Sequence, residues 1–403
     1  MTDRKNFIAW ALYDFGNSAF AAVIQTFLFA AFFTQSIAEN ETLGGAQWGW
    51  MNATAAFSIA IMGPVLGSIA DRSGRRKRWL GFFTFLCIIT TALLWFVQPD
   101  QKDTYLALLL VGLATIGSEC AFIFYNAMLP DLAPEKYLGR WSGWGWAAGY
   151  LGGLLCLSLA LICISSINIQ SAFLLAAIWY LVFSIPIFVM IPDTKGEPIS
   201  SAIMSGMSQL TETLLHLRKY KGIVRFLIAR MFYIDGLITL FAFGGIYAVA
   251  EFGMSMQELL MFGIMIHISA ALGAMLFSWI DDLISSKIVI LLALVCIISC
   301  CLWIWFFWSK GFFTFFGVLI GFYVGPLQAS SRALMARLTP EEMKNEMFGF
   351  FALSGKATAF AGPLLVGWIT YWSDSLRGGM SIILLFFLIG AFLMWKVPRK
   401  RES

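Results

Sequence analysis

The chain has 403 residues, 60% of them hydrophobic and only 12% charged, with a formal net charge of +4. Soluble domains are about a quarter charged, so this composition excludes a soluble enzyme. The modest positive balance sits in loops, which argues for orientation in a membrane and against nucleic acid.

A membrane-crossing helix needs about 20 apolar residues, and twelve such runs cover most of the length. In order they are Ile8–Ile37, Trp48–Ala70, Trp79–Val97, Tyr105–Leu129, Trp141–Ile164, Ala172–Ile191, Ile223–Val249, Leu259–Ile280, Ile288–Trp308, Phe312–Ala336, Phe348–Trp372 and Met380–Val397. Helices are predicted throughout, because backbone groups in lipid must bond within their own segment. The run after Arg4 and Lys5 is too long for a cleavable signal and lacks a small-residue cleavage site. The expected fold class is an all-α membrane protein of two pseudo-symmetric six-helix bundles, residues 1–191 and 223–403, joined by a linker over 192–222.

Lys and Arg set the orientation. With the N-terminus inside, 21 of the 27 fall in cytoplasmic segments, and the outer loops hold only Lys102, Lys310 and Arg377. Both termini are therefore expected in the cytoplasm. In the linker, Ile203, Met207, Leu210, Leu214 and Leu217 recur at helical spacing before Arg218, Lys219 and Lys221. That spacing predicts an amphipathic helix on the inner membrane face.

Between the second and third runs lies Gly67-Ser68-Ile69-Ala70-Asp71-Arg72-Ser73-Gly74-Arg75-Arg76-Lys77-Arg78. The placement of Gly67, Asp71, Arg72, Gly74, Arg75 and Arg76 resembles the loop signature of the major facilitator superfamily, where it joins the second and third helices. Asp71 ends a helix, where an acid is disfavoured by about 0.3–1 kcal/mol unless something answers it. It is expected to meet Arg75, Arg140 or the N-terminal end of the helix beginning near Phe348, forming an inner gate.

The two halves echo each other. Ala133-Pro134-Glu135 matches Thr339-Pro340-Glu341 at an offset of 206, and Gly63 and Asp71 pair with Gly273 and Asp281 at an offset of 210. The second copy of the basic loop keeps its Asp and final Lys and loses the Gly and Arg residues, so a latch there is doubtful. Arg337 is expected to snorkel at a helix end, Trp141, Trp144 and Trp146 to form an interfacial belt, and His267 to be packed. Pro64, Pro326 and Pro363 are expected to bend their helices.

A narrower likeness rests on Trp10-Ala11-Leu12-Tyr13-Asp14-Phe15-Gly16-Asn17-Ser18-Ala19-Phe20, on Tyr125-Asn126-Ala127-Met128-Leu129-Pro130, on Gly145 through Gly153, and on Ser354-Gly355-Lys356-Ala357-Thr358. These resemble the autophagy-related vacuolar effluxer branch and its bacterial relatives. The fungal members are implicated in releasing amino acids from the vacuole, so the resemblance implies an amino-acid or similar small-solute carrier. Glu119 departs from the small or neutral residue expected there.

Ionisable groups at membrane depth cost several kcal/mol and so face a wet cavity or a partner. The expected substrate and proton cavity is outlined by Asp14, Asn17, Ser18, Gln25, Glu119, Asn126, Asp235, Thr239, Gln328, Arg332, Ser354, Lys356 and Thr358. Lys356 lies about nine residues into its run, roughly 13 Å deep at 1.5 Å per residue. Its anionic partner is expected to be Asp14, Asp235 or Glu119. The seven Cys lie in apolar runs without metal-ligand spacing, and the two His residues support no hydrolytic grouping. No metal, cofactor or enzymatic activity is expected. The function predicted is secondary transport of a small solute, most simply an amino acid, by alternating access with proton coupling. The alternatives are a carrier of another small metabolite or drug, or a non-transporting receptor or scaffold on the same fold. The partners are the solute, protons or another coupling ion, and the bilayer. A monomer is expected, in the inner membrane if the source is bacterial.

Overall fold

The computed structural model describes residues 2–166, 168–193 and 198–398. Residues 194–197 of the linker, the terminal cations Arg399, Lys400 and Arg401, and the side chain of Leu217 lie outside the described set. Among the described residues, twelve helical spans are long and apolar enough to cross a membrane. The helices overrun the apolar runs: the second extends over Glu41–Ser73 instead of Trp48–Ala70. Polar caps let the backbone stay helical past the last apolar side chain.

The first span is not one regular helix. α1 (Thr2–Phe20) passes into widened turns over Ala21–Phe27, then a short α2 (Phe29–Phe32) and a second widened stretch over Phe33–Ile37. α3 (Glu41–Ser73), α4 (Arg76–Leu93), α5 (Thr104–Ala127), the short α6 (Leu129–Leu132), α7 (Leu138–Ser166) and α8 (Ile169–Met190) follow. Asn40 caps α3 by accepting from the Leu43 amide at 2.8 Å, and Asn168 caps α8 by accepting from Ser171 at 2.9 Å. Such caps satisfy donors that a helix start leaves open. At the far end of α3, Gly74 has φ +62° and returns its N–H to Ala70 O at 3.1 Å. Only glycine takes that conformation freely, which explains one position of the basic-loop motif.

The later spans are α10 (Lys221–Phe252), α11 (Met256–Leu283), α12 (Ser286–Phe306), α13 (Lys310–Leu338), α14 (Lys344–Lys356), α15 (Ala361–Ser373) and α16 (Leu376–Trp395), preceded by the linker helix α9 (Ile199–Leu215). A capping box of Ser255 and Glu258 starts α11. The eleventh span is broken: α14 ends at Lys356, four turn residues intervene, and α15 starts at Ala361. Pro363 stands in the first turn of α15, where its missing N–H costs nothing, so it marks a restart instead of a bend.

The chain divides into two compact units. Unit 1 is Met1–Ala133, Ala148–Leu210 and Glu342–Ala352; unit 2 is Pro134–Ala147, Thr211–Glu341 and Leu353–Ser403. Each takes in a short segment from the other half of the sequence. Within unit 1, α1 packs on α8, and α3 and α4 pack on α5; within unit 2, α10 packs on α16, and α11 and α12 pack on α13. The same pairing order recurs, so the internal repeat seen in the sequence is a repeat of packing.

In the linker helix, Ala202, Gly206, Gln209 and Thr213 are buried, while Ile203, Met207 and Leu214 are exposed. A side chain at Gly206 would meet the backbone of Ile69 at 2.9 Å. The small and polar stripe docks on protein, and most of the predicted apolar stripe faces away from it.

Candidate functional site

Within unit 1, the polar face of the first span lies along α5. The Tyr125 hydroxyl donates to Asp14 Oδ2 at 3.1 Å, Ser118 Oγ donates to Asn17 Oδ1 at 2.8 Å, and Gln25 Nε2 donates to Thr115 Oγ1 at 3.0 Å. Ser18 and Asp14 border Gly149, where an added Cβ would sit 2.7 Å from Ser18 Oγ and 2.9 Å from Asp14 Oδ1. That glycine of the Gly145–Gly153 stretch is therefore a matter of space beside the acid. Asp14 and Asn126 are buried, and Glu119 is half-buried. Tyr13 holds the position of the acid by bonding Thr84 and Tyr180, both at 2.7 Å, while Trp10 stacks on Tyr125 at 4.6 Å. Tyr125, Ser118 and Thr115 were not singled out by charge or spacing, because neutral hydroxyls in an apolar run carry little signal until their partners are known.

Within unit 2, a second polar group surrounds the broken span. Asp235 and Thr239 are buried in α10, and the Thr239 hydroxyl donates to Asp235 O at 2.6 Å. Arg230 donates to Ser354 Oγ at 2.7 Å. Lys356 is the last residue of α14 and half-buried, with Thr358 two residues further on in the break. Asp235 makes no ion pair among the described residues, and its Oδ1 has no hydrogen-bond partner there. It is therefore not the partner of Lys356. Gln328 is half-buried on α13.

Arg332 has a different setting. Its Nε donates to Ser142 Oγ at 2.9 Å and a terminal nitrogen donates to Ser142 O at 2.7 Å, with the guanidinium 5.5 Å from the centre of the Trp146 ring. Trp141 is buried and Trp144 packs edge-on to Trp279 at 5.8 Å. Of the three tryptophans expected at the interface, Trp141 is buried and Trp146 meets Arg332, while Trp144 is exposed. His267 Nδ1 donates to Gly263 O at 2.9 Å in its own helix.

The basic-loop residues separate into two clasps, one in each unit. In unit 1, Asp71 Oδ1 accepts from the Asn345 N–H at 2.9 Å and from its side-chain amide at 2.7 Å, and Oδ2 accepts from the Glu346 N–H at 2.8 Å. Of the three partners considered for Asp71, its hydrogen bonds go to the start of α14. A Cβ at Gly67 would lie 2.6 Å from the Asn345 carbonyl carbon, so this glycine permits the approach. Arg76 bonds Asp131 Oδ2 at 2.5 Å, and Lys344 pairs with the other oxygen of Asp131. Gln209 of the linker helix donates to Glu346 Oε2 at 2.5 Å. Lys77 donates to Phe188 O at 2.7 Å and Ile191 O at 2.5 Å, answering the negative end of α8. Arg72 is exposed and Arg75 half-buried.

In unit 2 the doubtful second copy is fully engaged. Asp282 accepts from the Gly139 N–H at 2.7 Å and the Arg140 N–H at 3.1 Å, and Arg140 Nε lies 3.3 Å from Asp282 Oδ2. Arg337 pairs with Asp281 at 2.5 Å and Asp282 at 3.1 Å. Arg337 is thus a network member, not a snorkelling cation, and Arg140 serves Asp282 instead of Asp71. The counterpart of Asp71 is Asp282, not Asp281. The offset of 206 held the clue, since it carries Gly139 and Arg140 onto Asn345 and Glu346.

A profile of the family described as vacuole effluxer Atg22-like matches residues 49–403. An uncharacterized MFS-type transporter of Bacillus subtilis, YxiO, is 28% identical, covering 100% of this chain and 96% of its own. Autophagy-related protein 22 of Kluyveromyces lactis is 26% identical, covering 78% of this chain and 71% of its own. Among solved structures, the proton:xylose symporter XylE bound to 6-bromo-6-deoxy-D-glucose has a TM-score of 0.76 at 15% identity, over 99% of this chain and 96% of that one. FucP in the outward conformation gives 0.75 at 13% identity, over 99% and 100%. At such identities the structural likeness is one of fold. The twelve-helix fold and these relatives define an integral multi-pass membrane protein, a transporter of the major facilitator superfamily. Within that superfamily the chain belongs to the Atg22-like vacuole effluxer family.

Proposed function

We propose that the protein carries an amino acid across the membrane by alternating access, driven by an ion gradient. The observation that supports this reading most directly is the broken eleventh span, with Lys356 at the end of one half-helix and the buried polar residues Asp235, Thr239 and Ser354 in the same unit. Discontinuous helices near mid-membrane are where transporters of this kind build their sites. Lys356 holds the carboxylate of a zwitterionic substrate while one of the buried acids receives its amine. Proton exchange at Asp14, Asp235 or Glu119, singly or together, couples the cycle, because desolvation raises a carboxyl pKa and an approaching cation lowers it again. The remaining cavity residues, Asn17, Ser18, Gln25, Asn126, Thr239, Gln328, Arg332, Ser354 and Thr358, shape the path.

The Asp71 clasp is the inner gate, formed in one state and released in the other. In this reading the chain is a monomer with six helices on either side of the linker, both termini face the cytoplasm, and the membrane of a bacterial cell would be the inner one. The exposed apolar side chains of α9 suit a helix resting on the inner membrane face.

The test is reconstitution in liposomes with labelled amino acids, with and without a pH gradient. Lys356→Gln should raise the apparent KM for an amino acid more than for its amide analogue; an equal rise, or a fall in yield alone, removes the carboxylate role. Neutralising Asp14, Asp235 and Glu119 in turn should uncouple uptake from pH in at least one case. A reactive probe at Ser205, in a background free of native Cys, should label only from the inside; labelling of intact cells by an impermeant reagent would reverse the orientation.

A further inference from the structure

α11 and α13, both in unit 2, leave a groove of about 720 Å³ between them. Along α13 it is lined by Gly311, Thr314, Phe315, Val318, Leu319 and Phe322, which recur at helical spacing and share one face. α10 packs elsewhere on α13, with Tyr247 on Phe313 at 6.0 Å and the Tyr233 hydroxyl bonded to Ser331 Oγ at 2.7 Å. Phe313 stands between Gly311 and Phe315 in the chain, roughly half a circle from each at 3.6 residues per turn. The groove therefore opens away from α10, on a side where Phe315 and Met265 of its lining are exposed. In a chain that spans a membrane, such an apolar outer face meets lipid.

One end of the groove is charged and the rest is not. Lys310 Nζ donates to Glu258 Oε2 at 2.6 Å, and the Ser255 N–H donates to the same oxygen at 2.8 Å. Both bonds fall on Oε2, so Oε1 remains for a further donor, and the Lys310 ammonium has N–H groups to spare. Deeper in, the polar side chains are spent on backbone. Thr314 Oγ1 donates to Lys310 O at 2.9 Å, and Ser269 Oγ donates to Val318 O at 2.8 Å. The walls beyond the ion pair therefore present carbon. Gly311 keeps the entrance wide, since a Cβ there would meet only Ser309 Oγ, at 3.8 Å. From Lys310 to Phe322 the groove runs about 18 Å at 1.5 Å per residue, close to half of a hydrocarbon core about 30 Å thick.

We propose that this groove holds a phospholipid with a primary-amine headgroup, phosphatidylethanolamine, drawn from the leaflet at the Lys310 end. An acyl chain lies along the carbon-walled part, whose length is that of one leaflet. Lipid tails are as apolar as the walls, so the chain supplies fit and the headgroup supplies the preference. Lys310 donates to the phosphate and the amine donates to Glu258 Oε1, so charges of opposite sign alternate around the rim and none is left over. An anionic headgroup would set its phosphate near the Glu258 carboxylate with no amine to answer that acid. A choline headgroup carries the right charges but has no N–H to donate. The site stands on unit 2 alone, whatever the substrate and whichever side of the membrane that end occupies.

The test uses the purified full-length protein in detergent, without substrate. Phosphatidylethanolamine, phosphatidylcholine and phosphatidylglycerol with the same short acyl chains are titrated in turn. The thermal unfolding midpoint and lipid adducts in native mass spectrometry are followed. A ligand that binds only the folded state raises the midpoint with its concentration. Phosphatidylethanolamine should act at about tenfold lower concentration than the other two, equivalent to 1.4 kcal/mol. Glu258→Gln, which keeps the capping box, should reduce phosphatidylethanolamine to the level of phosphatidylcholine, and Lys310→Gln should weaken both. Gly311→Leu fills the entrance and should lose the lipid adduct while keeping the lipid-free midpoint. If that variant does not fold, the Glu258→Gln comparison still decides. Equal responses to the three lipids, a preference for phosphatidylglycerol, or an amine preference unchanged in Glu258→Gln would overturn the site. So would a lipid-free dimer that Gly311→Leu dissolves, which would give the groove to a second copy of the chain.

Discussion

The Asp71 and Asp282 clasps do the same backbone work with different side chains. Each aspartate closes on two consecutive N–H groups at the start of a helix: Asn345 and Glu346 for Asp71, Gly139 and Arg140 for Asp282. Anions are favoured at a helix start by the open amides and the dipole. Beyond that the two diverge. Asp71 adds the Asn345 side-chain amide and the nearby but unbonded charge of Arg76, whereas Asp282 is enclosed by Arg140 and Arg337, with Asp281 sharing the latter. The repeat has kept a geometry and exchanged its chemistry: a neutral amide makes the direct side-chain bond to Asp71, and a four-charge network holds Asp282. A motif defined by Gly and Arg letters reads the second copy as degenerate even though its function in packing persists.

The comparison breaks most sharply at Arg337. Replacing it by Gln leaves Asp281 and Asp282 without their shared cation, and their side chains are 1% and 3% exposed. Removing one partner of a buried charge network costs about 3–5 kcal/mol, so Arg337→Gln should lower the unfolding midpoint of the purified protein more than any single change at the Asp71 clasp. Adding Asp282→Asn to Arg337→Gln should recover part of the loss, because one uncompensated charge is gone. A midpoint within error of wild type would show that the unit 2 network is not a network energetically.

Asp71→Asn should act next in size. The amide keeps one oxygen for a helix N–H and loses the charge, a change of about 0.3–2 kcal/mol at a helix terminus. Protein level and fold should persist while turnover falls in reconstituted vesicles. Unchanged turnover would remove the gate role. The same change at Asp282 should cost more stability than at Asp71, since Arg140 and Arg337 would both lose a carboxylate; the reverse order would overturn the contrast between the clasps.

How much of this was readable beforehand depends on the kind of signal. Twelve apolar runs gave twelve spans, because lipid leaves the backbone no alternative to helices. Asp71 stood out because glycines and cations surround it at fixed spacing. Asp282 did not, although its neighbour Asp281 was picked out by the repeat, because a one-residue change of register is invisible without the helix start it caps. The break at residues 357–360 was hidden for another reason. Ala357, Ala359 and Phe360 carry no stop signal of their own, Pro363 reads only as a bend, and the close approach of Gly362 to Thr239 is a tertiary matter. The linker helix shows the same limit: its apolar stripe was evident, but its docking stripe of Ala202, Gly206, Gln209 and Thr213 consists of residues that carry no pattern of hydrophobicity.

The smallest effect should come from the outlying salt bridge of the unit 1 clasp. Arg76 and Lys344 both reach Asp131, whose side chain is 37% exposed. Solvent screens such a pair, and exposed pairs are worth about 0.2–1 kcal/mol. In Arg76→Gln the carboxylate still has Lys344, so the loss should sit at the low end of that range and shrink further at high salt, where the Debye length falls to about 3 Å at 1 M. The double change Arg76→Gln with Lys344→Gln should cost more than the two single changes summed, because only then does Asp131 lose both partners. That non-additivity is the sharp part of the test. Strict additivity, with no dependence on salt, would mean that Asp131 positions neither cation and that the Asp71 clasp consists of the helix start alone.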